Sequence, residues 1–94
     1  MKEETRGTIE TDLDDLLKTD LFSEIKWLED EVPIQSLGDL GLGYIFGSFV
    51  LFAQSIITMT ERRKATLEDY DEIKKMLKRR LPEILTKINQ ELNR

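Results

Sequence analysis

From Leu40 to Thr60 the chain runs for 21 positions without a charged residue, LGLGYIFGSFVLFAQSIITMT. A run like this has two physical destinations. One is the hydrocarbon of a bilayer, which takes about 20 residues of helix. The other is a core where other apolar surfaces surround the helix. Gly43 and Gly47 stand at the GxxxG spacing that brings membrane helices together, and Glu61-Arg62-Arg63-Lys64 would serve as a basic cytoplasmic flank. Against a bilayer, Gly41, Gly43, Gly47, Ser48, Gln54, Ser55, Thr58 and Thr60 leave the run only moderately apolar. The segments on both sides are amphipathic and need an apolar partner in water, so the expected destination is a core. A chain of 94 residues has too few helices to enclose that run completely. A second copy is therefore expected to cover its remaining side, through Gly43, Gly47, Phe49, Val50, Ala53, Ile56 and Ile57. Gly43 and Gly47 share a face; there they either admit another helix backbone or merely loosen the start of the helix.

Composition removes whole classes of chemistry. With no Cys and no His, zinc fingers, disulfide scaffolds, thiol nucleophiles and Ser-His-Asp triads are excluded. No GxxxxGK[ST] or GxGxxG occurs, so no phosphate-cradling loop is present. Asp12, Asp14 and Asp15 lack the glycine and distal glutamate of a calcium loop and read instead as helix-start acids. Glu68, Asp69 and Glu72 sit among lysines suited to salt bridges. Tyr44 and Trp27 read as core or interface anchors. The expectation is a non-enzyme with no metal, no cofactor and no small-molecule substrate. Frequent apolar residues at helical spacing argue against disorder. Nothing resembles a signal peptide, and the absence of cysteine fits a reducing compartment, so a cytoplasmic location is expected.

Charge divides the chain. Residues 1–60 hold 4 basic and 12 acidic residues, while residues 61–94 hold 10 basic and 7 acidic. This is either a pair of solvated faces of opposite sign, or an acidic half that meets the basic half of another chain. Free nucleic acid is a less obvious partner, because the acidic segment repels phosphate.

Along the chain, residues 1–10 are polar, contain Gly7 and have no sustained period, which predicts a loosely ordered start. Leu13, Leu16, Leu17, Leu21, Ile25, Leu28 and Val32 then mark one helix face, with a break near Thr19-Asp20 where Asp20 can cap a second helix. Pro33 ends that segment. Ser36-Leu-Gly-Asp39, Thr66-Leu-Glu-Asp69 and Thr11-Asp-Leu-Asp14 each have the Ser/Thr-x-x-acid form of a helix start. Thr58-Met-Thr-Glu61 has it too, but falls where a helix should already be running. A long helix is predicted over 38–62, then a short basic loop. An amphipathic helix follows, with Leu67, Tyr70, Ile73, Met76 and Leu77 as its stripe. Pro82 kinks that helix or starts another, whose stripe is Ile84, Leu85, Ile88 and Leu92. No segment alternates with period two. The class is all-α: a single helical domain over 1–94, with a short helix, a long apolar central helix and amphipathic C-terminal helices.

That order, with Ala53 on the long helix and Arg62-Arg63-Lys64-Ala65-Thr66-Leu67-Glu68-Asp69 after it, resembles the histone fold of archaeal histones and of histone-like subunits of transcription complexes. The resemblance spans roughly 21–77. It implies an intertwined homodimer built on the central helix and an ion pair from Arg62 or Arg63 to Asp69. It also implies DNA contact at the second loop, through Arg62, Arg63 and Lys64. The chain departs from DNA-wrapping histones in its acidity, in a first loop without basic residues and in the uncharged centre of its long helix, so any DNA contact would be weak. The same stretch is similar to the helical lid of AAA+ ATPases, which implies a regulatory subunit with a protein partner. Lys74, Lys75, Lys78, Arg79 and Arg80 could extend a phosphate-tracking face, or simply form a solvated basic one. The reading is a histone-fold-like homodimerisation and protein-interaction module. A single-span membrane protein with a cytoplasmic helical tail is the rival.

Overall fold

The computed structural model describes residues 1–20 and 22–92. Leu21, counted above on the first apolar face, lies outside the described residues. Every regular element among them is helical: α1 (Glu3–Lys18), a 3₁₀ turn (Phe22–Glu24), α2 (Leu28–Glu31), α3 (Leu37–Glu61), α4 (Leu67–Arg79) and α5 (Leu81–Leu92).

The first difference from expectation lies at the start. Residues 3–10 are not loose but form the first half of α1. Thr5, Ile9 and Leu13 recur at i+4 and all three are buried. Glu3 and Glu4 sit in the first turn, where carboxylates favour the positive helix end. The Lys2 backbone N–H donates to Glu61 Oε2 at 2.8 Å, tying the beginning of α1 to the end of α3. Thr5 reads as polar, which hid the stripe from a hydrophobic count. Thr11 caps nothing; within α1 its hydroxyl donates back to the Gly7 carbonyl at 3.0 Å.

The other helix starts follow their chemistry. Asp20 Oδ1 accepts from the Ser23 N–H at 3.3 Å, opening the 3₁₀ turn. Ser36 Oγ accepts from the Asp39 N–H at 3.1 Å at the start of α3. Thr66 and Asp69 form a reciprocal capping box at the start of α4. Val32 is extended ahead of Pro33, ending α2. Pro82 falls in the first turn of α5, and Arg80, between α4 and α5, is the joint.

α1 and the α4–α5 pair both run antiparallel to α3. Lys2 meets Glu61 at one end of the first pairing, and the Phe22 ring lies against Gly41 at the other. In the second pairing, Gln54 Nε2 donates to Tyr70 Oη at 2.6 Å, and Leu92 and Ile88 lie against Gly38. The result is an up-down-up bundle of 41 × 25 × 19 Å. Its long axis is set by α3, whose 25 residues span about 37 Å at helical rise. Ile45, Phe49, Ala53 and Ile57 of α3 meet Ile9 and Leu13 of α1, Ile73, Met76 and Leu77 of α4, and Ile84 and Ile88 of α5 in one core.

The two charge halves meet inside the single chain. Arg6 pairs with Glu72 at 3.1 Å, Arg79 with Glu10, and Arg80 with Asp14 and, at 3.3 Å, with Glu10. Arg80 also pairs with Glu83 at 2.9 Å. Its guanidinium is therefore a clamp between α1 and the α4–α5 joint, and Arg79 and Arg80 are not a free phosphate-tracking face. Within α4, Asp71 pairs with Lys74 at 3.8 Å, while Glu72 turns to Arg6. Leu67, placed in the α4 stripe by periodicity, is instead exposed, because the capping box turns Asp69 inward beside Arg63.

Candidate interaction surface

α3 has a closed side and an open side. Of the residues expected to meet a second chain, Phe49, Ala53 and Ile57 are buried by the chain's own helices. Val50 and Ile56 are half-buried at its shoulders. Gly43 and Gly47 are exposed, and a Cβ built on either meets nothing within 4 Å. With Leu51, Ser55 and Met59 they form an i+4 row on the outside of the helix, and Phe52 stands beside it. Leu51 is 63% exposed, Phe52 53% and Met59 79%. These three apolar side chains were not singled out from sequence. The signal for them was phase: Leu51 and Met59 lie half a turn from the 45-49-53-57 row and Phe52 about a quarter turn from it, and in an uncharged helix nothing in the residue types marks which row faces inward.

A groove lies on either side of this row. On the α1 side, a cleft of about 440 Å³ is floored by Leu16, Tyr44 and Phe52 and edged by Asp12, Asp15, Asp20 and Glu24. On the α4 side, a groove of about 310 Å³ is lined by Phe46, Val50, Leu77 and Leu81 and edged by Lys74 and Lys78. Tyr44 is half-buried and lines the α1-side cleft. Trp27 does not enter the core: it is exposed, and its indole N–H donates to the Glu24 carbonyl at 3.0 Å.

The basic loop at the far end of α3 is internally engaged. Arg63 donates to both oxygens of Asp69, at 2.5 and 3.1 Å, and to Glu61 Oε1 at 2.8 Å. Asp69 Oδ2 also accepts from the Thr66 N–H at 2.8 Å. Of the two arginines offered by the family resemblance, Arg63 makes the pair. Arg62 closes α3 in the left-handed conformation, φ 53°. Among the described residues, Arg62 and Lys64 form no ion pair.

The Arg63 guanidinium holds the Asp69 carboxyl far below its ordinary value of 3.8, with help from the Thr66 N–H and hydroxyl and against the opposing effect of burial. Asp69 and Glu61 in turn raise Arg63. Glu61 is lowered from 4.5 to about 2, first by the Lys2 N–H, then by the Thr5 hydroxyl and by Arg63. Thr5 Oγ1 is buried and has no hydrogen bond of normal geometry, so its effect on the neighbouring carboxylate is a close dipole rather than a full bond. Among the described residues no cluster of three metal-ligating side chains occurs.

No family model, curated protein or solved structure matches the chain. The surface itself therefore carries the functional argument.

Proposed function

We propose that this chain is a non-enzymatic homodimerisation module whose contact surface is the outer row of α3. The observation that carries this reading is the exposed, uncharged row from Gly43 through Leu51 to Met59 on a helix whose other side is already filled. Area points the same way. The chain presents 6447 Å² to solvent, whereas a folded monomer of its mass, 11.0 kDa, presents about 5,600 Å². The excess is close to the roughly 800 Å² that each partner contributes to a standard interface.

The capped α4 start and the Arg63–Asp69 pair keep the likeness to the histone fold at this corner, but the proposed dimer is not an intertwined one, because Phe49, Ala53 and Ile57 are filled by the chain's own helices. DNA contact is not favoured, because Arg63 is occupied by two carboxylates and only Arg62 and Lys64 remain. α3 is long and apolar enough to cross a bilayer. In this bundle, however, α1 and α5 lie along it, and the charges of Glu10, Asp14 and Arg80 would sit at bilayer depth beside it. The bundle supports an aqueous setting instead.

Sedimentation velocity without detergent, over a tenfold concentration range, tests the proposal. The expected species has twice the chain mass, and Leu51→Glu with Phe52→Glu is expected to convert it to a monomer with unchanged helical circular dichroism. A monomer at every concentration overturns dimerisation. Polydisperse material that detergent resolves overturns it in favour of a bilayer.

A further inference from the structure

The two grooves beside α3 restrict how a second copy can sit. The α1-side cleft reaches α3 at Tyr44 and Phe52, and the α4-side groove reaches it at Phe46 and Val50, so both lie at the same height along the helix. Their floors are apolar and their rims opposite in sign. Among the described residues Asp12, Asp15 and Lys78 form no ion pair, and Lys74 makes only an exposed contact of 3.8 Å to Asp71. Other acidic and basic side chains of these helices are matched within the bundle, through Arg6–Glu72, Arg79–Glu10 and Arg80–Asp14. Asp12 and Asp15 thus stand uncompensated on one edge of the open face, and Lys74 and Lys78 on the other.

Two copies meeting face to face by a two-fold rotation have two simple arrangements. With the axis across the helices, the copies of α3 are antiparallel and each groove meets its own counterpart, acid on acid and lysine on lysine. With the axis along the helices, they are parallel. Left and right are then exchanged while height is kept, so each acidic cleft meets a lysine-edged groove. Like-charge contacts across an interface are costly, and complementary ones set register.

We infer that the second copy binds with its α3 parallel to the first, the two-fold axis running along the helices, so that the acidic cleft of each protomer closes over the lysine-edged groove of the other. Gly43 and Gly47 then face their own counterparts near the axis, where the missing side chains let the helices approach. This inference rests on the dimerisation proposed above and adds the orientation and the two mixed-charge seams.

Charge reversal on the intact chain tests it. Lys74→Glu with Lys78→Glu makes both edges acidic, and is expected to weaken self-association about tenfold or more through like-charge contacts at both seams. Adding Asp12→Lys and Asp15→Lys to the same chain cancels the net negative charge of the acidic edge, which keeps Asp20 and Glu24, and is expected to recover much of the lost affinity. An antiparallel pair would be untouched by the first change, so wild-type affinity in that variant overturns the orientation while leaving dimerisation intact. A wild type that never dimerises overturns both.

Because the chain has no cysteine, spin labels on Thr60→Cys and on Asp39→Cys, each as a single variant, give an independent reading. Parallel helices put both label pairs within about 30 Å, whereas antiparallel helices, at 1.5 Å per residue, must put at least one pair beyond about 30 Å. The second result overturns the orientation.

Discussion

The corner where α3 gives way to α4 and the middle of the outer face of α3 belong to neighbouring stretches of one chain, yet they end in opposite states. At the corner, Glu61, Arg63, Thr66, Asp69 and the Lys2 N–H satisfy one another within hydrogen-bonding distance. In the middle of α3, Gly47, Leu51 and Ser55 face outward with nothing of the chain over them. The corner is polar and, apart from the buried Thr5 hydroxyl, matched; the face is apolar and uncovered. Polar groups announce their needs through specific partners, and a short loop can supply them locally. Apolar surface needs area, which three layers of helix in a chain this short do not provide on every side.

The largest effect that would sharpen this contrast comes from moving a charge half a turn around α3. Phe49→Asp buries an unpaired carboxylate in the core and is expected to cost more than about 4 kcal/mol, enough to unfold the chain. Circular dichroism at 222 nm is expected to show that loss, in contrast to the retained helix of the outer-face variants. Equal tolerance at both positions would mean that the inner and outer rows are not distinct.

Next in size is the corner. Asp69→Asn removes the charge that Arg63 and Thr66 address and is expected to destabilise by about 3 kcal/mol in urea titration. The same groups set an acid dependence. Asp69 and Glu61 titrate lower folded than unfolded, so their stabilisation is fully present above their ordinary values of 3.8 and 4.5. It is lost as pH falls from there through the folded value, about 2 for Glu61 and lower for Asp69. The midpoint of unfolding should therefore fall steeply below pH 4.5 in the wild type and less steeply in Asp69→Asn. Parallel curves would remove the corner as the source.

The glycines give the smallest and finest comparison. A Cβ on Gly41 would come within 2.7 Å of the Phe22 ring, so Gly41→Ala is expected to destabilise the monomer, by about 1–3 kcal/mol. Gly47 meets nothing, and Gly47→Ala is expected to stabilise the isolated monomer by up to about 1 kcal/mol through helix propensity. Where the face is covered by a second helix, the same methyl should weaken association. Thermal melts at low and high protein concentration separate the two effects, and a uniform rise in melting temperature would show that no helix approaches Gly47.

Much of the architecture was legible without coordinates. The helical class follows from periodicity, α3 from the uncharged run, and the starts of α3 and α4 from Ser36 and Thr66, whose side chains have a local use for the next turn's N–H groups. The Arg–Asp pair was legible only through the family resemblance, and the choice of Arg63 over Arg62 required the left-handed turn at Arg62. The ordered start of α1 was missed because its contacts, Thr5 beside Glu61 and Ile9 in the core, are with residues far along the chain.

Residue types and their spacing set only local matters: which segments are helical, where their ends are capped, and that a long helix would be apolar all round. An all-apolar helix has no polar face to point outward, so its own residues cannot say which side is covered. That was decided in three dimensions. α1 and α5 took the row from Ile45 to Ile57, and ion pairs between Arg79 or Arg80 and α1 matched part of the opposed charge within one chain. The row from Gly43 to Met59 was left open between an acidic edge and a basic one, because a helix long enough to hold this bundle together exposes more surface than its neighbours can cover.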